Sequence, residues 1–389
     1  MTVSPTERAA WCALNTIFGF EPRTGHALVR AAGSAAALFS PPGRGATLFP
    51  DASRHFPQLT REALDDADRT LERLGSRGLR FLAWPDAAYP ALLRECEDPP
   101  LGLYLRSDTA PEALFPPDRI FLAVVGTRDF TPYGNEWCQK IVSALAGTAE
   151  KPVIVSGLAL GTDGTAHRTA LECGLSTVAV MATGIDAVYP PRHGALADRI
   201  ASAPGSALVT DYPPGTAPLA SHFLRRNRII AGLCRAVILT ESKLRGGGMT
   251  TARLAASYNR DVLVLPGRAD DLRSAGCNRL IRDKVAEPVT DTDGLAAQLG
   301  LTPGRRPARR DLPVEIRSLY TGTLPQEEVE RLVLIGQVIR ERRGICMQDL
   351  CRESGLTWPQ TAAGTGRLAA DGIIGTDLFG NCFIKPKNV

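Results

Sequence analysis

Four stretches of this 389-residue sequence combine glycines, hydroxyls and cations in a way that can hold a phosphate. Gly126-Thr127-Arg128 offers backbone N–H groups beside a guanidinium able to make a two-pronged anion contact. Ser156-Gly157 adds a hydroxyl and further N–H groups. Arg225-Arg226-Asn227-Arg228 sets three arginines around an asparagine at what reads as the opening of an apolar helix. Cations there oppose the helix dipole, and a bound anion would offset that cost. Lys243-Leu244-Arg245-Gly246-Gly247-Gly248-Met249-Thr250-Thr251 places three glycines before a helix expected to start at Met249 or Thr250. Free N–H groups, the helix dipole, two hydroxyls and two cations then converge on one spot. The expected contact set is Gly126, Thr127, Arg128, Ser156, Gly157, Arg226, Asn227, Arg228, Lys243, Arg245, Gly246, Gly247, Gly248, Thr250 and Thr251.

Asp163 and His167 stand four apart on one helical face. A metal or acid–base pair is conceivable there, but a helix cap and a packed histidine are the plainer expectation.

The elements that must present these stretches follow from hydrophobic pattern. Apolar runs at 119–125, 152–155, 177–181, 206–210, 236–240 and 261–265 alternate with helical patterns. Strands that are continuously apolar are covered on both faces, as in a parallel sheet. The fold class is therefore α/β, a Rossmann-like parallel sheet whose ligands bind at the carboxyl ends of the strands. Each stretch named above follows such a run or opens the helix after one. Residues 78–106 read as two short strands around a proline-rich connector. Residues 1–75 read as a small helical domain whose turns resemble a SAM-like or helix-hairpin-helix module, and 76–299 as the sheet domain. A Pro/Arg linker is expected at 300–324. At 325–389, three helices and a terminal hairpin suggest a winged-helix-like domain.

Composition narrows the partners. The net charge is +4, yet residues 221–284 hold 13 Lys and Arg against 5 Asp and Glu, concentrating charge suited to a polyanion. No run approaches the ~20 apolar residues of a membrane span, and no secretory signal pattern opens the chain, so a cytoplasmic protein without membrane contact is expected. Nine scattered cysteines and five histidines lack metal-ligand spacing; no metal or other cofactor is expected. The P-loop pattern, the dinucleotide fingerprint, the GxSxG elbow and the HExxH pair are all missing from the sequence.

The ordered motifs resemble those of the DprA (DNA processing protein A, also called Smf) family. They are Val125-Gly126-Thr127-Arg128 with Tyr133-Gly134, Ser156-Gly157-Leu158-Ala159, Asp163, and Ala166-His167. Gly184-Ile185-Asp186 with Val188-Tyr189-Pro190, Tyr212-Pro213-Pro214-Gly215, and Arg226-Asn227-Arg228-Ile229-Ile230 follow. The Gly248–Ala252 loop, Pro266-Gly267 and Gly276-Cys277-Asn278-Arg279-Leu280-Ile281 complete the order. The resemblance implies a non-enzymatic protein that binds and protects single-stranded DNA. It further implies help in loading RecA recombinase during transformation and recombinational repair, and dimerisation through the Rossmann-like domain. The sequence departs from the family at Leu160, where a positive charge is usual. It departs again at Gly246-Gly247-Gly248, so that loop is expected to act through its backbone. Replacing Arg226 or Arg228 by alanine is then expected to weaken binding and flatten its salt dependence.

Two other readings compete. One is a nucleotide-handling enzyme such as a nucleoside monophosphate phosphoribohydrolase, but the glycine loop lacks its proline and a catalytic helical glutamate is not evident. The other is a duplex-DNA regulator acting through the C-terminal unit, whose Arg342-Arg343 and Arg352 are few for that task.

Overall fold

The apolar runs become the strands of one nine-stranded sheet, and the spaces between them become its covering helices. The computed structural model describes residues 3–39, 50–304, 311–342, 344–377 and 380–385. Helices α1 (Pro5–Ile17), α2 (Pro22–Ala32) and α3 (Arg61–Ser76) precede strand β1 (Leu79–Ala83). Then come α4 (Ala91–Arg94), β2 (Gly102–Arg106), α5 (Pro111–Leu114), β3 (Phe121–Val125) and α6 (Pro132–Ala146). Next are β4 (Val153–Ser156), α7 (Thr162–Glu172), β5 (Thr177–Val180), α8 (Gly194–Ser202), β6 (Ala207–Thr210) and α9 (Ala220–Leu233). The sheet closes with β7 (Ala236–Leu239), α10 (Gly247–Ser257), β8 (Asp261–Val264), α11 (Ala275–Arg282), β9 (Glu287–Pro288) and α12 (Leu295–Gln298).

Strand order is β1-β2-β6-β5-β4-β3-β7-β8-β9. β2 runs antiparallel to both neighbours, and every later pair is parallel. The chain winds outward from β3 through β4, β5 and β6, then returns past β3 to lay down β7, β8 and β9. Winding reverses between β3 and β7, and such a switch point opens a crevice at the carboxyl ends of the two strands.

Strand side chains alternate between two buried faces. Val125, Val155, Val180, Val237 and Leu239 pack under Ile229, Ile230, Met249 and Ala252 of α9 and α10. Leu122, Val124, Ile154 and Ile238 pack under Ile141, Val142 and Ala166 of α6 and α7.

The expected boundary near residue 75 does not divide the molecule. Residues 1–305 form one compact unit, in which Trp11, Leu14 and Phe18 share a core with Tyr104, Met181 and Leu208. The Asn15 amide donates to the Asp211 carbonyl at 2.8 Å and accepts from the Gly102 N–H at 3.2 Å, tying α1 to two strands. The helices cannot be read as a free-standing domain because their apolar faces are completed by the sheet.

The 300–324 linker also needs correction, although residues 305–310 lie outside the described residues. Leu301 is buried, and Pro303 pairs with Thr148. Leu312–Tyr320 is a helix, α13, whose Leu312, Ile316 and Tyr320 are buried at helical spacing. Asp311 caps it by accepting from the Val314 N–H. Pro313 falls in the first turn, where proline starts a helix instead of breaking one. With α14 (Gln326–Arg342), α15 (Met347–Ser354), α16 (Trp358–Ala370) and the antiparallel strands β10 (Ile374–Thr376) and β11 (Cys382–Ile384), it forms a second compact unit.

Candidate functional site

The switch-point crevice has a volume of about 630 Å³. Its walls come from the β3–α6 and β4–α7 loops, the start of α7, Tyr189 between β5 and α8, one face of α9, and the β7–α10 loop. Gly126, Thr127, Arg128, Arg226, Asn227, Lys243, Arg245, Gly246, Gly247, Gly248 and Thr251 line it; Ser156, Gly157, Arg228 and Thr250 do not.

The first loop is fixed by close packing. A Cβ on Gly126 would collide with the Thr162 and Thr240 hydroxyls. The Thr127 carbonyl accepts from the Thr162 N–H at 3.2 Å, pinning the loop to α7. Arg128 then projects outward, exposed, with its guanidinium carbon 4.9 Å from the centroid of the Phe223 ring. It makes no ion pair among the described residues.

The glycine loop is equally specific. Helix α10 begins at Gly247, two or three residues before the expected start at Met249 or Thr250, and Gly246 is its N-cap. A Cβ on Gly248 would meet Leu239, whereas one on Gly247 would meet nothing within 4 Å. Among the described residues, the Gly247 and Gly248 N–H groups have no acceptor, as first-turn donors of a helix do not. Lys243 and Arg245 are exposed beside them and make no ion pair among the described residues.

Glu241, just before this loop, is fully buried and accepts from the Thr131 N–H at 2.9 Å and the Thr131 hydroxyl at 2.5 Å. Those bonds tie the end of β7 to the start of α6 and commit the carboxylate to structure. Asn227 reaches across from α9 to the Gly247 carbonyl at 3.4 Å.

The arginines of α9 lie elsewhere than expected. α9 begins at Ala220, so Arg225, Arg226 and Arg228 occupy its middle and face no free helix N-terminus. Arg228 is 5% exposed and outside the crevice; its Nη2 donates to the Asp211 carboxylate at 2.6 Å, and its Nη1 to the Asp98 carbonyl. Burial works against its charge, but Asp211 and Asp98 outweigh it and hold the pKa above the usual value. A phosphate cannot compete for a guanidinium so enclosed.

Arg226 does reach the crevice floor, but it is 3% exposed. Its Nη1 donates to the Gly157 carbonyl at 2.7 Å and to the Val180 carbonyl. Burial brings its pKa down to about 10, with nearby Asp163 opposing. Arg226 thus braces the ends of β4 and β5.

Ser156 and Gly157 serve the same brace. The Ser156 hydroxyl is fully buried and donates to the Val124 carbonyl at 2.7 Å. Gly157 is glycine because a Cβ would meet the Arg226 guanidinium at 2.5 Å.

Asp163 sits in the first turn of α7, but its side chain turns back to accept from the Ala159 N–H at 3.3 Å, and Gly161 is the N-cap. Burial pushes its pKa up, opposed by Arg226. His167 is fully buried, with Nδ1 2.7 Å from the Thr177 hydroxyl, and burial lowers its pKa to about 3. It is a neutral core histidine. Among the described residues no group of three or more His, Cys, Asp or Glu could hold a metal ion. No helix there is long and apolar enough to cross a membrane.

Phe223, Leu224 and Tyr189 line the crevice without having been expected there. Tyr189 packs edge-on against Phe223 with centroids 5.4 Å apart. Phe223 belongs to the same stretch as the arginines, so attention to aromatics beside cations would have found it. A second groove, about 670 Å³, runs along β1, but its cations Arg8 and Arg80 are held by Asp86 and the Thr109 carbonyl.

The model of the DNA recombination-mediator protein A family matches residues 80–300. Protein Smf of Synechocystis is 38% identical over 235 residues, 60% of this chain and 57% of that protein. The putative DNA processing protein DprA of Mycobacterium tuberculosis is 39% identical over 252 residues, 62% of each chain. The chain thus spans about six tenths of the length of these relatives. The X-ray structure of DNA processing protein A from Streptococcus pneumoniae superposes with a TM-score of 0.58 at 29% identity, covering 77% of this chain and 99% of that one. A matched stretch that contains every wall of the crevice places the chain in the DNA recombination-mediator protein A family.

Proposed function

We propose that the crevice between β3 and β7 holds the phosphodiester backbone of single-stranded DNA. The observation that carries this is a triad of exposed cations, Arg128, Lys243 and Arg245, around the N–H groups of Gly247 and Gly248, none of which has an ion-pair or hydrogen-bond partner among the described residues. Exposed, unpaired cations release counterions when a polyanion binds, giving affinity and salt dependence. Phosphate contacts carry no base information, so sequence preference is slight. Thr127 and Thr251 border the same space. Arg226, Asn227, Ser156 and Gly157 shape it from behind, and Arg228 stabilises the helix that forms one wall. Thr250 lies outside the lining and contributes only through the helix start.

The protein acts without catalysis, and Glu241, the buried acid nearest the glycine loop, is consumed by Thr131. Its place in the family supports roles in protecting incoming strands and in handing them to RecA recombinase, as a dimer built through the sheet unit. The N-terminal helices are SAM-like in this reading, and the three helices and hairpin of the C-terminal unit are winged-helix-like and serve as an interaction module.

The test is a competition titration of the full chain with single- and double-stranded DNA of matched length across salt. Single strands should win, and affinity should fall linearly on a log–log plot of binding against salt. Equal affinity for both forms, or preference for duplex, would sink the proposal.

A further inference from the structure

Phe20 follows α1 with 63% of its surface exposed. Single exposed apolar residues are ordinary; what stands around this one is not. The Arg225 guanidinium carbon lies 4.4 Å from its ring centroid. Tyr212 and His222 stack on each other at 4.4 Å, with the Phe20 centroid 6.2 Å from Tyr212 and 5.8 Å from His222. Those two rings are buried, and the Tyr212 hydroxyl donates to the His222 carbonyl. Arg225 is steadied by Asp211 at 3.7 Å, and the Asn15 amide clamps α1 to the Asp211 carbonyl. An open aromatic ring is thus mounted on a rigid base with a fixed cation behind it.

Its position matters as much as its mounting. Tyr212 sits just past the carboxyl end of β6, on the sheet edge that also carries the crevice. Arg225 follows Leu224, a crevice residue, one step around α9. Leu219 and Leu224, 54% and 53% exposed, extend an apolar surface along the start of α9.

We propose that Phe20 is a second station for the bound strand, on which a nucleobase stacks after the backbone leaves the crevice. Every base has a π-face, so an aromatic backed by a guanidinium takes any base and keeps binding independent of sequence. The N-terminal segment then belongs to the nucleic-acid interface. This inference rests on the single-strand function proposed for the crevice.

The experiment uses the full chain and deoxythymidine oligonucleotides of increasing length, each carrying one 2-aminopurine moved along the strand. Phe20→Ala should leave strands of about four nucleotides unaffected and weaken longer ones by about five- to hundredfold. It should also abolish the fluorescence quench at one position, while its thermal midpoint stays that of the parent and Phe20→Trp retains both quench and affinity. Unchanged binding by Phe20→Ala at every length, or an equal loss at all lengths, overturns the station. A Lys243→Ala/Arg245→Ala variant separates the two ideas. If it binds every length like the parent, the crevice assignment falls; if it weakens all lengths while Phe20→Ala is silent, only the station falls.

Discussion

Arg225–Arg228 and Lys243–Arg245 are both dense cation clusters, but of the first only Arg226 among its arginines reaches the crevice that Lys243 and Arg245 line, and the structure puts the two to opposite uses. The first lies in mid-helix against the strand ends, where Arg228 meets Asp211 and Asp98, and Arg226 meets two carbonyls. The second lies on a loop whose glycines allow a close backbone path and leave its cations in solvent. Removing a cation from water is costly unless it gains charged or hydrogen-bonding partners, and once it has them it is no longer available to a ligand. Charge counted along the chain therefore overstates the binding surface.

The sharpest way to break this contrast is Arg228→Ala. It leaves Asp211 buried and without its closest partner, so a loss of about 3–5 kcal/mol in urea unfolding is expected. DNA affinity of the folded protein should not change. Pairing Arg228→Met with Asp211→Leu should recover much of the stability. A weakened DNA affinity with normal stability would return Arg228 to the interface.

The buried His167 of α7 makes a pH-dependent prediction. His167 has a folded pKa of about 3 against 6.5 ordinarily. The unfolded chain therefore binds the extra proton first, and stability present above about pH 6.5 is lost as pH falls toward 3. Between pH 6.5 and 5 this amounts to about 2 kcal/mol, read by denaturant midpoints. A His167→Asn variant should lose that slope; an unaltered slope would show that other groups set it.

The loop cations should behave in the opposite manner. Lys243→Ala with Arg245→Ala should reduce the salt slope of single-strand binding by about 1.4, roughly 0.7 for each phosphate no longer neutralised. Unfolding free energy should move by less than about 0.5 kcal/mol. A stability loss without a change in salt slope would reverse the assignment of the two clusters.

The smallest effect is expected at Gly247→Ala, because a Cβ there meets nothing within 4 Å and the backbone is not left-handed. Stability should stay within about 0.5 kcal/mol and binding should persist, since the N–H group is retained. Gly248→Ala is the contrasting variant, since its Cβ would press on Leu239. Equal tolerance of both would argue against a close-packed loop.

Six parallel strands were legible as apolar runs, and the loops that form the crevice were legible because glycine beside hydroxyl and cation is a local signature. α13 was not, because Pro313 looks like a breaker until its place in the first turn is known. Nor was the union of α1–α3 with the sheet, because a helix's apolar stripe does not say which surface completes it. Phe20 shows the same limit, since nothing near it in the chain reveals Arg225.

By itself, the sequence determined the strand pattern, the glycine-rich turns at strand ends and the order of motifs that mark the family. These depend on residues close together in the chain. Only the tertiary structure decided which cations are free, because Arg228 finds Asp211 across a helix and Asp98 from 130 residues away. A charge becomes available or committed according to what the fold brings to it.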